Sequence, residues 1–265
     1  MKWSDHELPA LSAGIRDLDA VVGQLATPWA HTLGPMAYQT PSSPPASPAN
    51  RAVLWDMDGV IVASGQYHYQ AWKSALAEEG IDLTRQAFER TFGQRNDTVL
   101  RDLVSPHIQA SEIARIADLK ERRYRQLVRE GGVTPLAGVI EWLDQLTQAG
   151  WRHAVASAAP RANVDAIIDA LGIGGYFGAL TSSEDVTHGK PDPEVYLVAA
   201  ARVQATPANC VVIEDAPAGT QGARRGGMKC IGVLSTHPHL EADIVVHSLS
   251  ELAPDAFEML IPAYA

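Results

Sequence analysis

Six short, mostly apolar runs punctuate an otherwise mixed chain, at 52–55, 152–156, 179–180, 210–213, 229–233 and 244–246. Unbroken runs of this length read as strands buried on both faces, the pattern of a parallel sheet. Between the later runs the apolar spacing changes to that of a helix. Helices are predicted over 139–148, over 162–171 with Gly172 as a stop, over 193–203 from an initial proline, and over 218–225 with Gly226 and Gly227 as a stop. Strands alternating with helices predict an α/β fold with a parallel sheet and helices on both faces.

The rhythm breaks once. Between the first two strands the spacing predicts four helices, over 66–79, 84–92, 97–104 and 111–130, the last with Ser111 as N-cap and Gly131-Gly132 as its stop. Four helices are too many for one crossover, so 66–133 is expected to be a helical insertion standing as a lid over the strand ends. This divides the chain into an α/β core at 51–65 and 134–253 and an inserted cap at 66–133. Residues 1–50 form an extension. Leu11, Ile15, Leu18, Val21, Val22 and Leu25 recur at helical spacing, and TPSSPPASPAN at 40–50 is a Pro/Ser linker with nothing to bury.

The polar landmarks follow strands. Asp56 and Asp58 end the run AVLW, Ser157 follows HAVA, Lys190 lies in THGKPDP after the short third strand, and Glu214-Asp215 follow CVVI. Taken singly, Ser157 reads as a turn or cap residue, Lys190 as a solvated cation and Glu214-Asp215 as a helix start. Together they converge, because loops after parallel strands share one edge, where open α/β sheets bind ligands. Four carboxylates at one edge repel each other and any phosphate, so a hard divalent cation such as Mg²⁺ is needed among them. A carboxylate can attack phosphorus to give an acyl phosphate. Asp58 can exchange a proton with the leaving oxygen and water. Lys190 supplies fixed positive charge, and Ser157 a hydrogen bond to a phosphate oxygen.

Charge and cysteines narrow the class. Net charge is −10, with 21 basic and 31 acidic residues, which argues against nucleic acid or a membrane surface as partner. Neither a signal-peptide core nor an apolar run of ~18 residues occurs. Cys210 and Cys230 read as buried, reduced thiols, and a cytoplasmic protein is expected.

WDMDGVI, VASA, GKPDPEVY and VVIEDAPAGTQGARRGGM resemble the four motifs of the haloacid dehalogenase-like hydrolase superfamily, over about residues 51–250. The helical insertion resembles the cap of the subfamily that includes β-phosphoglucomutase and phosphoglycolate- and sugar-phosphate phosphatases. The resemblance implies a Rossmann-like core, Asp56 as nucleophile and Asp58 as acid/base. It implies Ser157, Ala158 and Lys190 at the phosphate of a small phosphate ester. Mg²⁺ would be held by Asp56, the Asp58 backbone carbonyl and Asp215, with Glu214 close by. His68 and Trp72 in YHYQAWKSALAEEG, and Lys120 in LKERRY, resemble cap residues, with His68 and Lys120 at the substrate. Two positions depart: Ala63 stands where an acid is frequent, and the mutase loop Gly-x-Ser-Arg appears as GQRND, with Arg95 one place early. A Mg²⁺-dependent phosphatase of a small metabolite is therefore expected ahead of a phosphohexomutase. A halide-releasing dehalogenase has no use for Asp58 and Glu214-Asp215, and a non-catalytic binding protein has no use for the intact set.

Overall fold

The computed structural model of the protein describes residues 50–262; the predicted helix and all but the last residue of the linker lie outside them. Six strands form one parallel sheet: β1 (Ala52–Trp55), β2 (Arg152–Ala156), β3 (Phe177–Thr181), β4 (Cys210–Glu214), β5 (Lys229–Val233) and β6 (Ile244–Val246). Their order is β3-β2-β1-β4-β5-β6. The chain thus builds one half of the sheet outward from β1, then returns to β1's other side. Ala52 pairs with Arg152 and with Cys210, and Trp55 with Val155 and Ile213, so β1, β2 and β4 end level with each other.

The apolar runs are continuous because both faces of the sheet are covered. Val53 and Trp55 face a cluster with Val139, Trp142 and Leu143 of α5 (Val139–Gln148) and Val164 and Ile167 of α6 (Arg161–Leu171). Ala52 and Leu54 face the other side, with Val195 and Ala199 of α7 (Glu194–Arg202) and Ala223 of α8 (Pro217–Arg225). Each fully buried aliphatic side chain contributes roughly 1.5–3 kcal/mol. Cys210 and Cys230 are buried free thiols.

Between β1 and α5 stand α1 (Gly65–Ala77), α2 (Arg85–Thr91), α3 (Asn96–Leu103) and α4 (Ala110–Gly131). They bury an apolar cluster of their own, centred on Trp72, Leu76, Phe88, Leu100 and Ile116. Predicted ends agree with these within a residue or two, as helix ends fray. Ser111 is not the N-cap of α4: the helix starts one residue earlier, Gln109 holds the cap position with an extended backbone, and no side chain caps it. The 3.6-residue period fixes which faces are buried but leaves the starting residue loose. Among the described residues no helix is long and apolar enough to cross a membrane.

Candidate active site

The level ends of β1, β2 and β4 bring the predicted residues together. Asp56 follows β1 directly, its backbone N–H still in the ladder through the Ile213 carbonyl at 3.0 Å. Its carboxylate accepts from Lys190 Nζ at 2.6 Å, and the same ammonium donates to Glu214. The Lys190 side chain is only 3% exposed, so two carboxylates compensate a cation stripped of water. Burial works against its charge, but Asp56 and Glu214 outweigh burial and hold its pKa above the ordinary lysine value.

Glu214 is the fixed bracket of the cluster. One oxygen accepts from Lys190 and from the Tyr196 hydroxyl at 2.8 Å; the other accepts the backbone N–H groups of Asp215 and Ala216, both at 2.9 Å. Gly219 of α8 lies against it, and a Cβ there would fall 1.9–2.4 Å from the carboxylate atoms. Gly59, at φ +89°, is constrained the same way: a Cβ would sit 2.0 Å from Asp215 Oδ2. Asp215 is buried and accepts from the Thr236 hydroxyl.

Asp56, Glu214 and Asp215 offer carboxylate oxygens within 4.8 Å of one another, all buried. Burial, with the charges of Glu214 and Asp58, pushes Asp56 up to about 7 against the pull of Lys190. Burial and the charges of Glu214 and Asp56 push Asp215 well above the carboxylate range. Buried oxygens that repel each other to this extent fit a hard divalent cation, whose charge would restore the ionised forms. Glu214 has no oxygen left over, so Asp56 and Asp215 are the carboxylates free to hold one.

Asp58 stands on the other wall. It accepts from the Ser64 hydroxyl, lies 3.1 Å from His68 Nε2, and is 3.4 Å from the Tyr124 hydroxyl. Burial alone would raise its pKa, but His68 and Ser64 outweigh burial and bring it below the ordinary value. His68 stacks on Tyr124 with ring centroids 3.9 Å apart, and its Nδ1 lies 3.0 Å from Lys120 Nζ. Lys120 is 3% exposed and sits between the Trp72 and Tyr124 rings, 5.2 and 5.5 Å from their centroids. A buried ammonium on two aromatic faces is a cation–π arrangement.

One pocket is lined by Asp56, Asp58, His68, Lys120, Ser157 and Ala158 together. Ser157 is 1% exposed; its oxygen accepts the Ala159 N–H at 3.1 Å, so it caps its turn and keeps its own hydrogen for a ligand. Arg95 points elsewhere. Its Nη1 donates to the Val186 carbonyl at 3.1 Å, with those of Ser183 and Thr187 at 3.4 Å, and ties the insertion to the loop leading to Lys190.

Sequence reasoning marked Ser64 only as a hinge beside Gly65, and did not single out Tyr124, Tyr196, Thr236 or the pair Glu121 and Asn163. Only Tyr124 carried a signal: Ile116, Lys120, Tyr124 and Val128 recur every four residues and form the buried stripe of α4.

A family model described as haloacid dehalogenase-like hydrolase matches residues 50–227. The chain is 32% identical over 210 residues to the beta-phosphoglucomutase of Bacillus subtilis, covering 76% of this chain and 91% of that one. It is 28% identical over 205 residues to the validoxylamine A 7'-phosphate phosphatase of Streptomyces hygroscopicus subsp. limoneus, covering 76% and 95%. The crystal structure of beta-phosphoglucomutase from Clostridium difficile matches with a TM-score of 0.72 at 26% identity, over 80% of this chain and 96% of that one.

Proposed function

The chain belongs to the haloacid dehalogenase-like hydrolase family and is a phosphoric monoester hydrolase; we propose that it is a Mg²⁺-dependent phosphatase of a small sugar phosphate, working through a phosphoaspartate on Asp56. The observation that carries this is the Asp56 carboxylate, held 2.6 Å from Lys190 at the pocket shared with Asp58. Asp56 and Asp215 would hold Mg²⁺, with Glu214 behind them. When bound, the ion supplies positive charge that keeps Asp56 ionised and offsets charge developing on the phosphoryl oxygens.

An Asp56 oxygen attacks phosphorus, the bond to the ester oxygen breaks, and the phosphoryl group rests on Asp56. Lys190 and the Ser157 hydroxyl take the phosphoryl oxygens. Asp58 gives the leaving oxygen its proton. Resting Asp58 is below the usual carboxylate range, but a phosphate dianion beside it is a like charge and raises its proton affinity. Once the alcohol leaves, ionised Asp58 takes a proton from the water that attacks the phosphoaspartate. The helical insertion acts as the cap that excludes bulk water, with hinges near Gly65 and Gly132, the latter at φ +71°.

Hydrolysis is favoured over isomerisation by Arg95. A mutase must grip a second phosphate while a bisphosphate turns over, and arginine's planar fork suits that task. Here the loop arginine lies outside the pocket lining, with its Nη1 turned to the carbonyls of Ser183, Val186 and Thr187. The test is β-glucose 1-phosphate with Mg²⁺ and a trace of the 1,6-bisphosphate, following free phosphate and glucose 6-phosphate together. Phosphate release is expected to dominate, and rapid glucose 6-phosphate formation with little phosphate would replace the phosphatase by a mutase.

A further inference from the structure

The pocket wall contributed by the helical insertion holds an acid of its own. Glu121 is 5% exposed and lines the same pocket as Asp56 and Asp58. One of its oxygens accepts from Lys120 Nζ at 2.8 Å and from Asn96 Nδ2 at 2.7 Å; the other accepts from Asn163 Nδ2 on α6. Burial opposes its charge, but Lys120 and His68 outweigh burial and keep the carboxyl below its ordinary pKa, so it is ionised at neutral pH.

We propose that Glu121 makes this site selective for monophosphate esters of uncharged, polyhydroxylated alcohols and sets it against esters that carry a second anionic group. This rests on the phosphatase reading above and names its substrate class. Among the described residues Lys120 is the one lysine or arginine lining the pocket, and it is already committed to His68 and Glu121. Arg95 serves the Val186 loop, and Arg125 donates to Asn163 Oδ1 at 2.9 Å, behind Glu121. A second phosphate entering the leaving-group side would meet an ionised carboxylate and no free cation. A hydroxyl meets the opposite situation. It can donate to the remaining lone pair of Glu121, whose other acceptor positions are taken by three donors. The ring of Trp72 in the same wall gives the carbon face of a sugar an apolar surface.

The experiment is competition against hydrolysis of p-nitrophenyl phosphate with Mg²⁺ present, using glucose 6-phosphate and glucose 1,6-bisphosphate, on wild type and on Glu121→Gln. Wild type is expected to bind the monophosphate about tenfold more tightly, the factor that corresponds to one pKa unit of charge interaction. Glu121→Gln should bring the two inhibition constants towards parity. Gln94→Lys places a cation on the same wall from a loop position, and should shift the ratio the same way if Glu121→Gln does not fold. Equal or tighter binding of the bisphosphate by wild type overturns the proposal, as does an unchanged ratio in both variants. Inhibition by neither sugar overturns the polyol assignment. Absence of p-nitrophenyl phosphate turnover overturns the phosphatase reading itself, which separates the two failures.

Discussion

His153 gives the sharpest test of the packing beneath the site. It lies on β2, 2% exposed, between Trp55 and Phe177. The indole Nε1 of Trp55 stands 3.1 Å from its Nδ1, and the Thr147 hydroxyl 3.2 Å from its Nε2. An indole nitrogen only donates, so Nδ1 must accept and the proton sits on Nε2. Protonating Nδ1 would set one N–H against another in a dry site. Burial accordingly brings the imidazole down to about 4 from the ordinary 6.5.

The sign follows from proton binding. Above pH 6.5 both the folded and the unfolded chain carry neutral His153, and the group contributes no pH dependence. Between 6.5 and about 4 the unfolded chain takes up a proton that the fold refuses, so stability falls as pH falls. The slope is about 1.4 kcal/mol per pH unit, or roughly 3 kcal/mol over the window. That is a large part of a typical 5–15 kcal/mol. Asp56 and Asp215 are raised and act in the opposite direction over the same range, because the fold then binds protons before the unfolded chain does. The readout is therefore a difference. Urea unfolding of wild type and His153→Gln, which keeps an acceptor for Trp55, should be measured from pH 7.5 to 4.5. The stability of wild type relative to the variant should drop by about 2.5 kcal/mol over this range, mostly below pH 6. Two parallel curves would show that His153 titrates alike in both states, and the buried-neutral argument would be wrong.

Three further outcomes follow from the site. Asp58→Asn should slow turnover by roughly 10²–10⁴-fold and let phosphoenzyme accumulate in rapid-quench experiments; wild-type rates would remove Asp58 from proton transfer. Asp215→Ala should weaken Mg²⁺ binding in calorimetry far more than Ser157→Ala does, and equal affinities would contradict the assignment of Asp215 as a ligand. Arg95→Ala should speed amide exchange over 183–190 by about tenfold or more, since charge-assisted hydrogen bonds are worth about 1.5–3 kcal/mol; unchanged exchange would mean that Arg95 does not hold that loop.

The sheet and the residues on its edge were legible because a strand buried on both faces writes itself as an unbroken apolar run. The first polar residue after such a run must lie at the strand's end. Asp56, Ser157 and Glu214 could be placed by that argument alone, and the register of β1 with β2 and β4 brings them level. The insertion follows another logic. Its periodicity points to Ile113, Ile116, Leu119, Leu127 and Val128 as the inward face of α4, and Ile116 and Val128 are buried with the other three half-buried against the cores, but Lys120 and Tyr124 share the buried stripe with them. A lysine on that stripe looks solvated in a one-dimensional pattern. It is buried only because Glu121, His68 and two aromatic rings surround it, and these come from positions up to 52 residues apart in sequence. Periodicity reports where water is excluded by apolar side chains. It carries no information about polar groups that exclude water by satisfying each other. In this chain Asp56, Lys190 and Glu214 also satisfy each other, but Asp56 and Glu214 end apolar runs that give their places away, whereas Glu121 ends none. The cluster at the strand ends is therefore readable from sequence pattern where the Glu121 cluster of the insertion is not.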